Sequence, residues 1–386
     1  MRILVAGDFF PARRLANLAT VDPRKLFGKF FETISTADLA VLNLEAPLCE
    51  PLQAITKTGP NLYADPENAA FLANAGFQLV TLANNHIFDF GQQGLEATMA
   101  ALDRFGVAYI GAGSTLEQAQ KPYLVECDGS RLAILNFAEN EWSTTRGESA
   151  GACPIDAVAN YHAIRNAKSV ADHVIVICHG GHEMYNLPSP RMKQLYRFYV
   201  EAGASAVINH HTHCVSGYEV YRGAPIFYSL GNFLFDSSSL RSGEWTKGMA
   251  VELILSDTAL GYEAYFFDQC TNDALFRLCE DKQKADRLEY LNSLNQIISD
   301  DQGLQNSYRS YSEEQTQRYM RYLEPVKSRI LSAAQNLGWA PSLLTRRQKR
   351  LMLNLVRCEA HRDLVLEVLE RDVGLTHPSD PPQGLD

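Results

Sequence analysis

Three histidines fall within four positions at His210-His211-Thr212-His213, in a chain of 386 residues that holds ten histidines in all. Imidazoles spaced this closely suit a metal centre or an acid–base site, and a chance run on a loop is the reading they must displace. Other side chains of the right kind lie elsewhere in the chain. Asp8 and Glu45 offer hard anionic oxygens, Asn85 a neutral carbonyl oxygen, and His179, His211 and His213 nitrogen. That mixture suits zinc, manganese or iron more than calcium or magnesium. A carboxylate can bridge two ions held ~3.5–4 Å apart, and such a pair draws the pKa of bound water towards ~7. The chemistry this favours is hydrolysis.

Groups spread over more than 200 residues need a scaffold that gathers them. Apolar runs alternate with helical patterns from the N-terminus to about residue 235, which indicates an α/β fold. Five runs end in polar groups able to bind metal: Arg2 to Gly7 at Asp8, Leu39 to Leu42 at Asn43-Leu44-Glu45, Phe77 to Ala83 at Asn84-Asn85-His86, Val174 to Cys178 at His179, and Ala204 to Ile208 at the histidine cluster. The C-terminal ends of strands form the ligand crevice in open α/β sheets, so these five groups are expected to converge.

In order along the chain, Gly7-Asp8, Asn43-Leu44-Glu45-Ala46-Pro47, Leu82 to Gly91, His179-Gly180-Gly181-His182-Glu183, His211-Thr212-His213 and Tyr228 to Asp236 resemble the CapA family. That family is named for capsule and poly-γ-glutamate synthesis proteins and is similar in fold to calcineurin-like metallophosphoesterases. The resemblance covers roughly residues 2 to 270. It implies a four-layer α/β/β/α sandwich with one or two divalent ions at the strand ends. It further implies that Glu45 bridges, with Asp8 and His213 on one metal and Asn85, His179 and His211 on the other. His86 matches a histidine that protonates the leaving group or steadies the transition state, Glu183 matches the family's glutamate, and Arg13 follows Asp8 at a spacing the family shows. Metallophosphoesterases carry Asp-x-His at the first strand, whereas this chain has Phe10 two residues after Asp8, which leaves the first metal one protein ligand short.

Several residues carry two readings. Asp89, three after His86, orients that imidazole or caps an Asx turn before Phe90-Gly91. Arg13 pairs with a substrate carboxylate or phosphate, or lies on the surface at a helix start. Asn232 lines the site or makes a turn. Residues 138–154 form a long polar and aromatic loop, either a lid or a surface insertion. His182 and His210 read as bland neighbours of the ligands.

The formal charge of −10 argues against a nucleic-acid binder, while a metal would allow an anionic or peptide-like substrate. Eight scattered cysteines without a CxxC pair fit a reducing compartment, and no apolar run approaches a membrane span, so a cytoplasmic location is expected. The expected organisation is a sandwich domain over 1–270, a helical extension packed on the core over 271–375, and a disordered tail over 376–386. Within the extension, Arg346-Arg347-Gln348-Lys349-Arg350 reads as a solvated helix face. The function this supports is a CapA-like metal-dependent hydrolase acting on a peptide, polyglutamate or glycan-linked anionic substrate in capsule or polymer biosynthesis. A metal-assisted peptide epimerase and a non-catalytic accessory subunit with biosynthetic partner proteins are the alternatives.

Overall fold

Two β-sheets face one another in the computed structural model, which describes residues 1–127, 129–255, 260–323 and 328–357 together with His361, Val365 and Leu369. The first sheet runs, in spatial order, β16 (Phe276–Leu278), β15 (Leu260–Gln269), β14 (Lys247–Leu255), β1 (Arg2–Phe10), β2 (Leu39–Leu44), β3 (Leu79–Thr81) and β4 (Ala108–Ile110). A further strand, β13 (Asn232–Phe235), pairs in parallel with the end of β1. The second sheet runs β11 (Tyr218–Tyr221), β12 (Ala224–Phe227), β10 (Ala206–His210), β9 (His173–His179), β7 (Ser130–Ala138) and β6 (Tyr123–Cys127). A small antiparallel ribbon joins β5 (Ala112–Gly113) to β8 (Gly151–Ala152).

The alternation of side chains along these strands builds the layers. Ile3, Val5, Leu39, Val41 and Leu79 of the first sheet meet Ile134, Ile175, Ile177 and Ile208 of the second in a core between the sheets. Their chain neighbours Leu4, Ala6, Ala40, Leu42 and Val80 turn outward onto Phe30, Ile34, Phe71, Leu72 and Leu95. On the far side, Leu135, Val174, Val176 and Val207 pack against Ile164, Tyr196, Tyr199, Leu294 and Ile298 of the helices Ala157–Val170, Pro190–Ala202 and Asp281–Ser299. Three cores therefore separate four layers, α/β/β/α. Strands buried on both faces need apolar residues at nearly every position, which is why these runs read as continuous rather than alternating. Each fully buried Val, Leu or Ile contributes about 1.5–3 kcal/mol by leaving water.

Helix boundaries follow local signals. Asp156 caps Ala157–Val170 by accepting from the backbone N–H of Val158 and Ala159, and Ser189 followed by Pro190 starts Pro190–Ala202.

The chain divides into two compact units, Met1–Leu304 and Gln305–Asp386. The first runs beyond residue 270 because of what is buried there. β16 adds to the first sheet, and Leu291, Leu294 and Ile298 are buried in the cores. The ammonium of Lys193, itself buried, donates to the carbonyl of Ile298 and to Asp301 Oδ1 at 2.6 Å, fixing the end of helix Asp281–Ser299. In the second unit, helices Arg329–Asn336 and Arg346–Arg357 are described. The expected tail, 376–386, lies outside the described residues. Among the described residues no helix is long and apolar enough to cross a membrane.

Candidate functional site

Strand ends from both sheets, rather than the edge of one, supply the site. Asp8 lies opposite Asn43 in the β1–β2 register, and His179 opposite His210 in the β9–β10 register. The two pairs meet across the sandwich, where Asp8 Oδ1 is 3.9 Å from His179 Nδ1 and 3.7 Å from His210 Nδ1. Gly7 lets the end of β1 come this close to its neighbour, since a Cβ there would lie 2.0 Å from the Gly231 carbonyl oxygen. That same carbonyl accepts the Asp8 backbone N–H at 3.1 Å. After β10 the chain turns through left-handed backbone at His211 (φ 90°) and His213 (φ 55°). For non-glycine residues this costs of order 1–3 kcal/mol each, and such strain gathers at functional sites. The Asp8 carboxylate helps to hold the turn by accepting the His211 N–H at 3.1 Å.

Two donor triads result. Glu45, His179 and His211 each present one atom within 4.8 Å of the others, and so do Asp8, Glu45 and His213. Glu45 belongs to both. Its two carboxylate oxygens are buried and have no hydrogen-bond partner among the described residues. His179 Nε2 lies 3.0 Å from Asn85 Oδ1, 3.1 Å from His211 Nδ1 and 3.5 Å from Glu45 Oε1. His213 turns Nδ1 to Asn232 Oδ1 at 2.9 Å. The Asn232 amide nitrogen donates to the carbonyls of Trp245 (3.0 Å) and His213 (3.4 Å), so its oxygen faces the ring and Nδ1 carries the proton. Nε2, 3.7 Å from Glu45 Oε1, then keeps its lone pair for the centre. Phe235 and Trp245 pack on the His213 ring with centroids 5.0 and 4.7 Å away. Phe10 packs on Phe235 at 4.9 Å, so the residue without ligating atoms serves the wall behind His213.

Burial, then the charge of Glu45, pushes the Asp8 carboxyl well above its ordinary range, and burial likewise raises Glu45. Burial foremost holds His179 and His211 well below the usual imidazole value. For His213 burial also acts downward, but the carboxylates of Glu45 and Asp8 outweigh it and the net shift is upward. Acids that resist ionisation thus stand beside two imidazoles, His179 and His211, that keep their lone pairs, with the orphaned oxygens of Glu45 between them. A divalent cation fits this arrangement, because it supplies the compensating charge and takes the free lone pairs.

Beside the triads, His86 Nδ1 lies 2.7 Å from Asp89 Oδ2. Asp89 also accepts the Leu62 N–H at 2.7 Å and pairs with the ammonium of Lys57, whose side chain is buried too. Asp89 therefore contacts the His86 imidazole directly. Its carboxylate accepts from Nδ1–H, with the Lys57 ammonium 3.2 Å from the same nitrogen, and Nε2 is left for a reacting group. Asn84 shapes this segment, with Oδ1 accepting from the backbone N–H groups of His86 and Ile87 and its amide donating to the Leu44 carbonyl at 2.8 Å. Glu183 is exposed, yet its charge raises Glu45, Glu141 and His213, which puts it at the rim.

Arg13 is not brought to this cluster by any contact. It is exposed at left-handed backbone and makes no side-chain hydrogen bond or ion pair among the described residues, while the neighbouring Arg14 pairs with buried Asp236 at 2.6 Å. His210 ends β10 fully buried, with neither ring nitrogen hydrogen-bonded; burial, then His179, drives its pKa down to about 3.

Sequence reasoning missed Lys57 and gave no individual role to Asn43, which stood in a quoted motif, or to Glu141, which lay in the 138–154 loop. Asn43 donates to Asp8 Oδ1 at 2.8 Å and lies 3.3 Å from His179 Nδ1. Its place two residues before Glu45 was a usable signal; for Lys57, on a loop, there was none. Glu141 Oε1 lies 3.8 Å from His211 Nε2. Residues 138–154 are anchored rather than loose. Ser143 and Thr145 are buried, Ala152 exchanges backbone hydrogen bonds with both, and Trp142 Nε1 donates to Thr58 Oγ1 at 3.1 Å. That bond clasps the Glu141 loop to the one carrying Lys57.

Comparison with known proteins fits this arrangement. The chain is 32% identical over 252 residues to "Capsule biosynthesis protein CapA" of Bacillus anthracis, which covers 63% of this chain and 61% of that protein. It is 34% identical over 185 residues to "PGA biosynthesis protein CapA" of Bacillus subtilis, covering 47% and 49%. The chain thus spans about half to three fifths of these relatives. A solved structure described as a hypothetical protein from Thermus thermophilus aligns with a TM-score of 0.45 and 17% identity, over 69% of this chain and 99% of that one. The profile of "Bacterial capsule synthesis protein PGA_cap" matches residues 2–237, a span containing all five residues of the two donor triads, and the chain belongs to that family.

Proposed function

We propose that this chain is a metal-dependent enzyme of capsule or polymer biosynthesis that hydrolyses a peptide, polyglutamate or glycan-linked anionic substrate. The observation that carries the reading is Glu45, shared by two donor triads with both oxygens buried and unpartnered. Asp8 and His213 would hold one ion with it, and Asn85, His179 and His211 the other; zinc, manganese or iron suits such a donor set. A bound ion of this kind supplies water acidified towards neutral pH. The chain's own residues do the rest. With Nδ1–H donated to Asp89, His86 in its doubly protonated imidazolium form gives its Nε2 proton to the leaving group and is left as the neutral Nδ1–H imidazole. Lys57 holds Asp89 in place for that purpose. Glu183, at the rim, contacts the substrate or exchanges a proton with it, and Arg13 receives a substrate carboxylate from the solvent side. Cys49, Cys153, Cys178, Cys214, Cys270 and Cys279 stand as thiols among the described residues, which supports a reducing, cytoplasmic setting.

The test begins with chelator-stripped protein and metal analysis after re-addition of zinc, manganese or iron. Wild type is expected to regain bound metal and to cleave a polyglutamate or model phosphodiester probe, whereas Glu45→Ala and His211→Ala bind little and lose activity. Absence of a bound transition metal, together with unchanged activity in both variants, would sink the reading.

A further inference from the structure

Taken by itself, the second unit combines two properties that seldom coexist on a merely solvated surface. Residues 305–357 contain ten of the chain's 35 Lys and Arg but three of its 45 Asp and Glu, so a basic segment stands within a chain of net charge −10. The same segment leaves large apolar side chains in water: Ile330 is 84% exposed, Trp339 79% and Val356 63%, with Leu351 and Leu353 close behind.

Helix Arg346–Arg357 sorts these two kinds of residue by direction. At 3.6 residues per turn, Arg346, Arg347 and Arg350 fall on one side and Leu351, Met352 and Leu355 on the opposite one, with Val356 at the border beside Lys349 and Leu353 the one apolar side chain placed among the arginines. A helix face that was only solvated would not carry the second set. An anionic polymer would engage the arginines and leave the leucines, valine and tryptophan in water. An anionic bilayer uses both, because the apolar side enters the acyl boundary while the basic side meets the headgroups. Tryptophan, with an apolar ring and a polar N–H, favours that boundary. Beyond residue 357 the sequence holds two basic and seven acidic residues, which a bilayer must outcompete, so the full chain is the appropriate test object.

We infer that residues 329–357 form a surface that docks this protein, without spanning, on an anionic lipid bilayer. The inference does not rest on the proposed hydrolysis.

The full chain is to be sedimented with phosphatidylcholine vesicles and with mixed phosphatidylcholine–phosphatidylglycerol vesicles. Binding is expected on the mixed vesicles, weakened by salt, with a blue shift of Trp339 emission identified by its loss in Trp339→Phe. At about a fivefold gain per basic side chain near an anionic surface, Arg346→Glu/Arg347→Glu/Arg350→Glu lowers partition by at least about 100-fold. The uncharged pair Leu351→Ser/Val356→Ser must also lower it by about tenfold or more. All these positions are exposed, and circular dichroism verifies that the variants stay folded. Absence of binding to mixed vesicles, or equal binding to both kinds, overturns the inference. So does loss with the charge reversal alone while soluble polyglutamate competes fully, which would assign the surface to an anionic polymer. Conversion of an oligomer to a monomer by the Ser pair, with vesicle binding unchanged, overturns it in favour of self-association.

Discussion

Asn232 decides which nitrogen of His213 faces the centre, since its oxygen is aimed by two backbone carbonyls that engage its amide nitrogen. Removing a partner of this kind typically lowers metal affinity 10–100-fold. Asn232→Ala is therefore expected to lose about that much, read by competition with a chromophoric chelator; unchanged affinity would detach Asn232 from the centre. Lys57 gives a second residue-scale test. Its ammonium and the Asp89 carboxylate are buried together, so Lys57→Met strands a charge at a cost of about 3–5 kcal/mol. Adding Asp89→Asn removes the stranded charge while keeping an oxygen for the Leu62 N–H, and should restore much of that loss in urea melts. If the double variant is less stable than the single by the full cost of a second lesion, the two residues are not coupled.

At the scale of elements, the site depends on how closely the strands approach. β1 and the turn before β13 touch through Gly7 and the carbonyl of Gly231, leaving no room for a methyl group. Gly7→Ala must push the turn away, at a cost of about 1–3 kcal/mol or more from overpacking. The same shift loosens the Asp8 N–H bond to that carbonyl. The expected result is a lower urea midpoint together with weaker metal binding, and a midpoint equal to wild type would show that the contact is not tight. The two loops joined by Trp142 and Thr58 belong to this scale too, because they place Glu141 and Lys57 beside groups that the strands deliver.

For the whole molecule, the first compact unit includes the helix Asp281–Ser299, whose Leu291, Leu294 and Ile298 are buried against both the inter-sheet core and the outer face of the second sheet. A chain ending at Leu304 should unfold cooperatively and retain metal. One ending at 270 uncovers those surfaces and removes β16, and is expected to aggregate or to melt far lower in differential scanning calorimetry. Equal stability of the two would return the boundary to 270.

Strand content and the polar run ends were legible without coordinates, because strands buried on both faces must be continuously apolar and must stop where polar atoms begin, whereas the four-layer order was implied by the resemblance to the CapA family. Asp8, Glu45, Asn85, His179, His211 and His213 each stand at such a stop. Tertiary structure decided what has no local signature. It placed the five run ends on two facing sheets, left both oxygens of Glu45, already set between two metals by the resemblance, buried without a hydrogen-bond partner among the described residues, and brought Lys57 from a loop to Asp89. It also buried His210, already set apart from His211 and His213, with neither ring nitrogen hydrogen-bonded among the described residues. Periodicity records which face a side chain takes within its own element; the distance between elements is set by packing, and ligation depends on that distance.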